Sequence, residues 1–415
     1  MKSESLAKVY VLTHGVTFTE AALQFADVMG AKRQNMVYNL PKNERLEDVQ
    51  QLLGRPQELF LGGDDGYIVC VSAVSPVPGR ASAIVDYSNG NLTIKTPSMP
   101  AIGRGVALVK YVQEPEYYNK RTTRGADVKR TVSACGYDEM NIWPWHDCMT
   151  SQKCSFCGIN SVNAKNEQMS GELLSAAHLA RQKDPFAYWK ERKSFVVEEI
   201  VESVDLAIDD PCYEEEIHLI LITGNLCDRQ LNLQAQIYAD IASELSRKFP
   251  NRFKEGIIAV SAPPQDESYL NIMKRGGIDI VVFNLEVFGE AEFKEHCPGK
   301  NAVGRDHHMS MLEKSVEIFG RGKVWTNFVL GLEDYDQLLQ GCESLAQKGI
   351  VSSANVLHID HGSGLTVAPP NFDDVISFYC RLADIYKQYD MNPFYCSKAL
   401  RTSVSNEAFA GRFSA

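Results

Sequence analysis

From about Ile200 onward, short apolar runs alternate with amphipathic stretches. IHLILITG precedes QLNLQAQIYADIASELSRKF, GIIAVSAPP precedes DESYLNIMKRG, and GIDIVVFNLEVF precedes HHMSMLEKSVEIFG. KVWTNFVLGLE, YDQLLQGCESLAQKG and VSSANVLHI continue the series. The runs are β-branched and nearly unbroken, as strands buried on both faces of a parallel sheet are, and the segments between them show helical spacing. Repeated β-then-α units predict a parallel α/β layer or barrel, of about six strands. Helix-compatible sequence also spans Ser170 to Asp209.

The first 130 or so residues read differently. After one helix-like stretch, TFTEAALQFADVMG, come ELFLGG, YIVCVSAV, SAIVDYS and NLTIKT, separated by Gly, Asn, Asp and Pro, which is the pattern of a small β-rich α+β unit. YYNKRTTRGADVKRT reads as a polar link to the second part. NFDDVISFYCRLADIYKQY is one amphipathic helix, and the tail after Pro393 is a closing segment or a frayed end. The division is an accessory domain at 1–130, a barrel-like domain at 131–370, and a C-terminal helix with closing tail at 371–415.

At 415 residues, 44% apolar and 23% charged, the chain has the composition of a folded globular protein. It has no run of eighteen apolar residues, and MKSESLAKVYVLTHG lacks the features of a secretory leader, so neither a membrane span nor export is expected. The cytoplasm is the expected location. A formal charge of -11 is the wrong sign for a protein that lives on phosphate backbones, which argues against nucleic acid as a partner.

Cysteine usage changes the picture most. Of eleven cysteines, Cys70, Cys135, Cys212, Cys227, Cys297, Cys342, Cys380 and Cys396 are scattered without a disulfide-like framework, as in a reducing compartment. Cys148, Cys154 and Cys157 are clustered in CMTSQKCSFCGIN, spaced C-x5-C-x2-C, in a loop expected between the first barrel strand and its helix. Surface loops seldom spend three cysteines on packing. A structural zinc site wants a fourth Cys or His at matching spacing; His146 stands too close to Cys148 and no second C-x2-C exists. An iron-sulfur cube leaves its fourth iron open to a substrate or cofactor, so the missing ligand becomes an asset.

That arrangement resembles the radical S-adenosylmethionine (radical SAM) superfamily, whose usual spacing is C-x3-C-x2-C. The two extra residues between Cys148 and Cys154 add well under about 0.6 kcal/mol of loop-closure free energy. The resemblance implies a partial (β/α)6 TIM-like barrel with the smaller N-terminal α+β domain beside it. It implies a [4Fe-4S] cluster on Cys148, Cys154 and Cys157, S-adenosyl-L-methionine at the open iron, and Phe156 packed near the adenine. LITGN places Thr223, Gly224 and Asn225 where the family has a Gly-Gly-Glu turn that receives the cofactor's amino group. Asn284 and Glu286 end the fourth strand, where the family binds the ribose hydroxyls. EHCPGKNAVGRDHH looks like the Cys-Pro-Gly-Lys turn of biotin-synthase-like members, and it offers Arg305, with Lys300 as competitor, for the cofactor carboxylate. NFVLGLED loosely matches G-x-I-x-G-x-x-E, so the backbone of Val329 and Leu330 would read the adenine edge.

The same resemblance implies reductive cleavage to a 5′-deoxyadenosyl radical that abstracts hydrogen from a small-molecule substrate, with flavodoxin or ferredoxin as reductant. His358, Asp360 and His361 in VLHIDHGSG are candidates to touch the substrate, against a plain rim network. Cys297 or Cys396 would return a hydrogen atom to a product radical, against a buried structural thiol. No second cysteine cluster is present, which disfavours sulfur insertion. Two alternatives stay open: transfer of a methyl or 3-amino-3-carboxypropyl group from SAM, and a non-catalytic iron-sulfur or zinc protein.

Overall fold

Residues 3–14, SESLAKVYVLTH, show no polar stripe, yet they form helix α1 (Ser3–His14). Val9, Tyr10, Val11 and Leu12 are all sealed from solvent, and Glu4 and Lys8 are buried with them, so the helix is buried on more than one face. The computed structural model describes residues 1–33, 54–159, 173–213, 216–359, 363, 365, 367–393 and 400–414. The chain packs into two compact units. One comprises Met1–Glu114, Val329–Leu339 and Ala354–Ala415, the other Pro115–Phe328 and Gln340–Ser353.

In the first unit, α1 leads to β1 (Val16–Phe18) and α2 (Glu20–Val28), whose first turn is capped by the Thr19 hydroxyl accepting the Ala22 N–H at 3.3 Å. The alternating runs then form β2 (Glu58–Gly62), β3 (Ile68–Ser72), β4 (Ala83–Ser88), β5 (Asn91–Lys95) and β6 (Leu108–Tyr111). They make two three-stranded sheets, ordered β1-β4-β5 and β3-β2-β6. The first pairs β1 parallel to β4; the other pairings are antiparallel.

The second unit holds most of the parallel layer. β7 (Val132–Cys135) and β8 (Glu139–Ile142) form an antiparallel hairpin, with Val132 opposite Ile142. After β8 come the cysteine loop, α3 (Ala176–Arg181) and α4 (Pro185–Ala207). There Pro185 takes the first helical position and Asp184 caps by accepting the Ala187 N–H at 2.9 Å. The alternation continues through β9 (His218–Ile222), α5 (Leu231–Lys248), β10 (Ile257–Ser261), α6 (Ser268–Arg275) and β11 (Ile278–Phe283). α7 (Glu290–His296), α8 (Pro298–Val303), α9 (Arg305–Phe319), β12 (Val324–Leu330), α10 (Tyr335–Gln347) and β13 (Val351–Val356) complete it.

The sheet order is β13-β12-β11-β10-β9-β8-β7, with β8 to β12 paired in parallel. Sequential neighbours in parallel, each followed by helix, are the order of a partial barrel. The expected strands are therefore present, and β7 is an extra antiparallel strand at the edge. The central runs Leu219–Leu221, Ile257–Ala259 and Ile280–Phe283 are buried, as double-sided burial requires.

The stretch 117–131 is not a solvated link. Tyr117 and Tyr118 are buried, and Thr122 and Arg124 bond Glu199 and Glu198 on α4. Its charges read as linker composition, but they are matched by that helix.

C-terminal residues return to the first unit as α11 (Phe372–Gln388) and α12 (Ser405–Phe409). Lys8 on α1 donates to Glu407 at 2.7 Å, with both side chains at most 1% exposed. Arg412 bonds Glu4 and Asp65, and Glu58 takes Lys32 and Arg401. Residues 400–412 are thus tied to α1 and β2. No described helix is long and apolar enough to cross a membrane.

Candidate active site

Parallel layers present their reactive groups at the C-terminal strand ends, where the loops leave the sheet. Beyond β8 the chain reads WPWHDC, and Trp145 donates its indole N–H to the Gly224 carbonyl past β9 at 2.7 Å. Met149 N–H donates to the Asn225 carbonyl at 2.7 Å. Gly224 is required by this approach: a Cβ there would stand 2.4 Å from the Asp147 oxygen and 2.6 Å from the Cys148 Cα. The start of the cysteine loop therefore lies flat on the LITGN turn.

The other side of the loop rests on the EHCPGK turn. Ser155 N–H donates to the His296 carbonyl at 2.9 Å, and the Ser155 hydroxyl meets His296 Nδ1 at 2.9 Å. A Cβ on Gly299 would stand 2.2 Å from the Gln152 oxygen. Between these contacts the Cys154 and Cys297 thiols come close enough to shift each other's titration. Cys297 is fully buried, with the Leu285 carbonyl 3.9 Å from its sulfur, while Cys148, Cys154 and Cys157 are half-buried.

Beneath this lies a buried ion pair. Lys300 donates to Glu286 at 2.6 Å and to the Asn284 carbonyl at 2.6 Å. The two side chains are 9% and 15% exposed. Glu286 holds a left-handed backbone, φ 71°, a conformation that costs a non-glycine residue on the order of 1–3 kcal/mol. Its N–H donates to the Asn327 carbonyl at 2.9 Å, and Asn327 in turn donates its side-chain N–H to Asn284 Oδ1 at 3.1 Å.

The electrostatics follow from these neighbours. The neighbouring Cys297 thiol lowers the Cys154 thiol below the usual range; burial opposes this and Lys300 adds to it. The Cys154 thiol, together with burial, pushes Cys297 up. Burial works against the charge on Lys300, but Glu286 and the two thiols more than offset it and hold that lysine above its ordinary value. His146 is no spare metal ligand beside Cys148. It is buried, stacked 5.8 Å from Trp143 and bonded to the Arg130 backbone, and burial brings it down to about 4.

No family model matches this sequence. The bacteriochlorophyllide c C-7(1)-hydroxylase of Chlorobaculum limnaeum is 28% identical over 280 residues, covering 65% of each chain. This chain thus spans just under two thirds of that relative's length. This likeness points to the radical SAM superfamily. Two solved structures of the [FeFe]-hydrogenase maturase HydG are also similar, at low scores that carry no weight below. One, from Carboxydothermus hydrogenoformans, has a TM-score of 0.33 at 15% identity over 48% of this chain and 45% of that one. The other has a TM-score of 0.37 at 14% identity over 63% and 52%.

Members of the radical SAM superfamily use a [4Fe-4S] cluster with SAM, and the residues present fit that centre. Three half-buried thiols share one loop at the strand ends, and the Lys300 charge favours the thiolate of Cys154. Among the described residues no three His, Cys, Asp or Glu side chains converge on a single ion. A cube instead takes one thiolate per iron.

The remaining expected residues fall as follows. Phe156 is half-buried within the cysteine loop. Thr223 donates to the Gly224 carbonyl at 2.7 Å, which shapes the turn. Asn225 Oδ1, expected to receive the cofactor's amino group, accepts the Ala262 N–H at 2.7 Å; an amide oxygen keeps a second lone pair. Arg305 donates to the Phe288 carbonyl at 2.5 Å and lies 5.3 Å from that ring, and its buried Nε has no partner among the described residues. Val329 and Leu330 belong to the first unit, where the Leu330 carbonyl accepts the Leu357 N–H at 3.1 Å. His358 is half-buried past β13 in that same unit. His361, Asp360 and Cys396 lie outside the described residues. Sequence reasoning missed Ser155 and His296, which meet across 141 positions with nothing in the local pattern to join them.

Proposed function

We propose that this chain is a radical SAM enzyme that cleaves S-adenosylmethionine reductively and abstracts hydrogen from a small-molecule substrate. The observation that carries the reading is the seating of the three-cysteine loop on the strand ends, between Gly224–Asn225 and the His296–Lys300 turn. Cys148, Cys154 and Cys157 would hold a [4Fe-4S] cluster. The chemistry such a centre supplies with SAM is one-electron cleavage of the sulfonium to methionine and a 5′-deoxyadenosyl radical, which takes a hydrogen atom from an unreactive carbon.

The chain's own residues bind and orient. Arg305, with an unspent buried Nε–H, and Lys300 are the cations for the cofactor carboxylate. Asn284 and Glu286 would face the ribose hydroxyls, Asn225 and the Thr223–Gly224 backbone the amino group, and Phe156 the adenine. The hydroxylase relative acts on bacteriochlorophyllide c by its name, which supports a small organic molecule rather than a macromolecule as substrate here. A flavodoxin- or ferredoxin-type reductant would supply the electron, and the cytoplasm is the proposed location.

The wider C-x5-C-x2-C spacing supports a second reading, transfer of a methyl or 3-amino-3-carboxypropyl group from SAM. Product analysis separates the two. Protein reconstituted anaerobically with iron and sulfide, then reduced with dithionite in the presence of SAM, is expected to release 5′-deoxyadenosine, and none after Cys154→Ala. Methylthioadenosine as the main product would favour the second reading. Neither product, with zinc bound in place of iron, would overturn both.

A further inference from the structure

Charge is unevenly spread over the second unit. The later part of α4 is acidic: Glu198, Glu199, Glu202 and Asp205 follow one another with no lysine or arginine among them. Its start and the segment before it are basic. Arg181, Lys183 and Lys190 are exposed there, and none meets a carboxylate among the described residues; the acids between them are Asp184, which caps α4, and no other. On the strand-start side of the unit, by contrast, Lys254 pairs with Glu216, Lys323 with Glu255 and Arg252 with Asp209. The unmatched cations stand on the rim that carries the cysteines. Arg229, in the turn after β9, donates to the Ala180 carbonyl at 3.2 Å, and Gln230 donates to the Leu179 carbonyl at 2.9 Å, so α3 is fixed to that turn. The turn packs against α8, and Gly299 of α8 lies under Gln152 of the cysteine loop. The next residue is Lys153, exposed and likewise without a carboxylate, one position before Cys154.

We infer that this rim, from Lys153 across Arg229 to Arg181, Lys183 and Lys190, is the docking surface for an acidic one-electron carrier protein. The inference rests on the radical SAM reading above and says where its reductant binds. In that reading the reduced carrier gives up one electron and the cluster that Cys154 helps to hold takes it up; no atom is transferred. Charge supplies the fit. With a net charge of -11 this protein repels an acidic partner over much of its surface, and a patch of unmatched cations draws that partner to one face and sets its orientation. Phe186, 41% exposed between Lys183 and Lys190, adds an aromatic contact of the kind that protein interfaces enclose within a polar rim. Electron-carrier contacts are small and transient, so a few well-placed charges are enough to direct one.

The test uses the full chain as wild type, as Arg181→Glu/Lys183→Glu, and as Arg275→Glu, which reverses an exposed cation just before β11, at the opposite end of the strands. The probes are an acidic flavodoxin and an acidic plant-type ferredoxin, titrated in their oxidised forms into metal-free protein by calorimetry at low and at raised salt. At low salt the double variant is expected to bind the carrier about tenfold more weakly than wild type, and Arg275→Glu to stay within about twofold of it. Raised salt should weaken wild type more than the double variant, because screening removes an attraction that the variant already lacks. In cluster-loaded protein, 5′-deoxyadenosine formation driven by the reduced carrier should fall several-fold in the double variant, whereas formation driven by dithionite, which needs no docking, should match wild type. Binding of neither carrier to wild type, equal affinity in wild type and the double variant, or equal losses in the two variants would each overturn the inference. So would binding of a single-stranded DNA probe through Arg181 and Lys183 in place of either carrier. If wild type forms no 5′-deoxyadenosine even with dithionite, the radical SAM reading fails, and the metal-free titration still decides the docking.

Discussion

Lys8 and Lys300 each give one ammonium hydrogen to a glutamate and another to a backbone carbonyl: Glu407 and Leu400 in the first unit, Glu286 and Asn284 in the second. The chemistry is alike and the settings differ. Lys8 and Glu407 are at most 1% exposed and sit on regular helices, α1 and α12. Glu286 stands at a strand end in a left-handed backbone, 15% exposed, with Cys154 and Cys297 close enough to shift the titration of Lys300. A sealed pair on unstrained helices binds the chain's two ends together. A partly open pair on strained backbone beside two thiols has the features of a site, since strain persists where function over-determines it.

The comparison breaks most visibly at the cysteines. Cys154→Ala is expected to abolish cluster uptake and SAM cleavage while leaving unfolding of the first unit unchanged; iron analysis and urea unfolding read the two separately. Next come the lysines. Lys8→Met strands a buried carboxylate and should lower stability by about 3–5 kcal/mol, most of it regained in Lys8→Met/Glu407→Leu. Lys300→Met, whose partner keeps some solvent, should lower it by about 1–3 kcal/mol but weaken SAM binding in calorimetry. The reverse order of stabilities would remove the distinction between the pairs.

Gly224→Ala comes third. Its Cβ would drive into Asp147 and Cys148, so a loss of about 1–3 kcal/mol and reduced iron loading are expected. The smallest effect is acid sensitivity in the second unit. Burial brings His218 on β9 down from 6.5 to about 4. As pH falls, the unfolded chain takes up that proton first, so the contribution of the neutral ring is whole above pH 6.5 and lost toward pH 4. Unfolding free energies from urea titration at pH 7 and 4.5 should differ by up to about 2 kcal/mol more in wild type than in His218→Leu.

The parallel strands were legible because runs such as HLILI and IDIVVF have no other use than two-sided burial. α1 was not, since a helix buried on all sides shows no amphipathic period. β7 escaped for another reason: Val132–Cys135 is short and carries one serine and one alanine among four residues. At the site, the cysteine loop and the EHCPGK turn were visible as motifs. That they meet was not, because Ser155–His296 and Cys154–Cys297 depend on where β8 and β11 end in the sheet. The charged segment 117–131 was misread because its acidic partners lie on α4, more than seventy residues later.

The central claim is that three thiols at the strand ends hold a cluster open to SAM. It is tested most directly by electron paramagnetic resonance of the anaerobically reconstituted, dithionite-reduced protein before and after SAM is added. The account predicts an iron-sulfur signal that changes on SAM addition and is absent in Cys154→Ala. A signal indifferent to SAM, or one that survives the loss of Cys154, would contradict it.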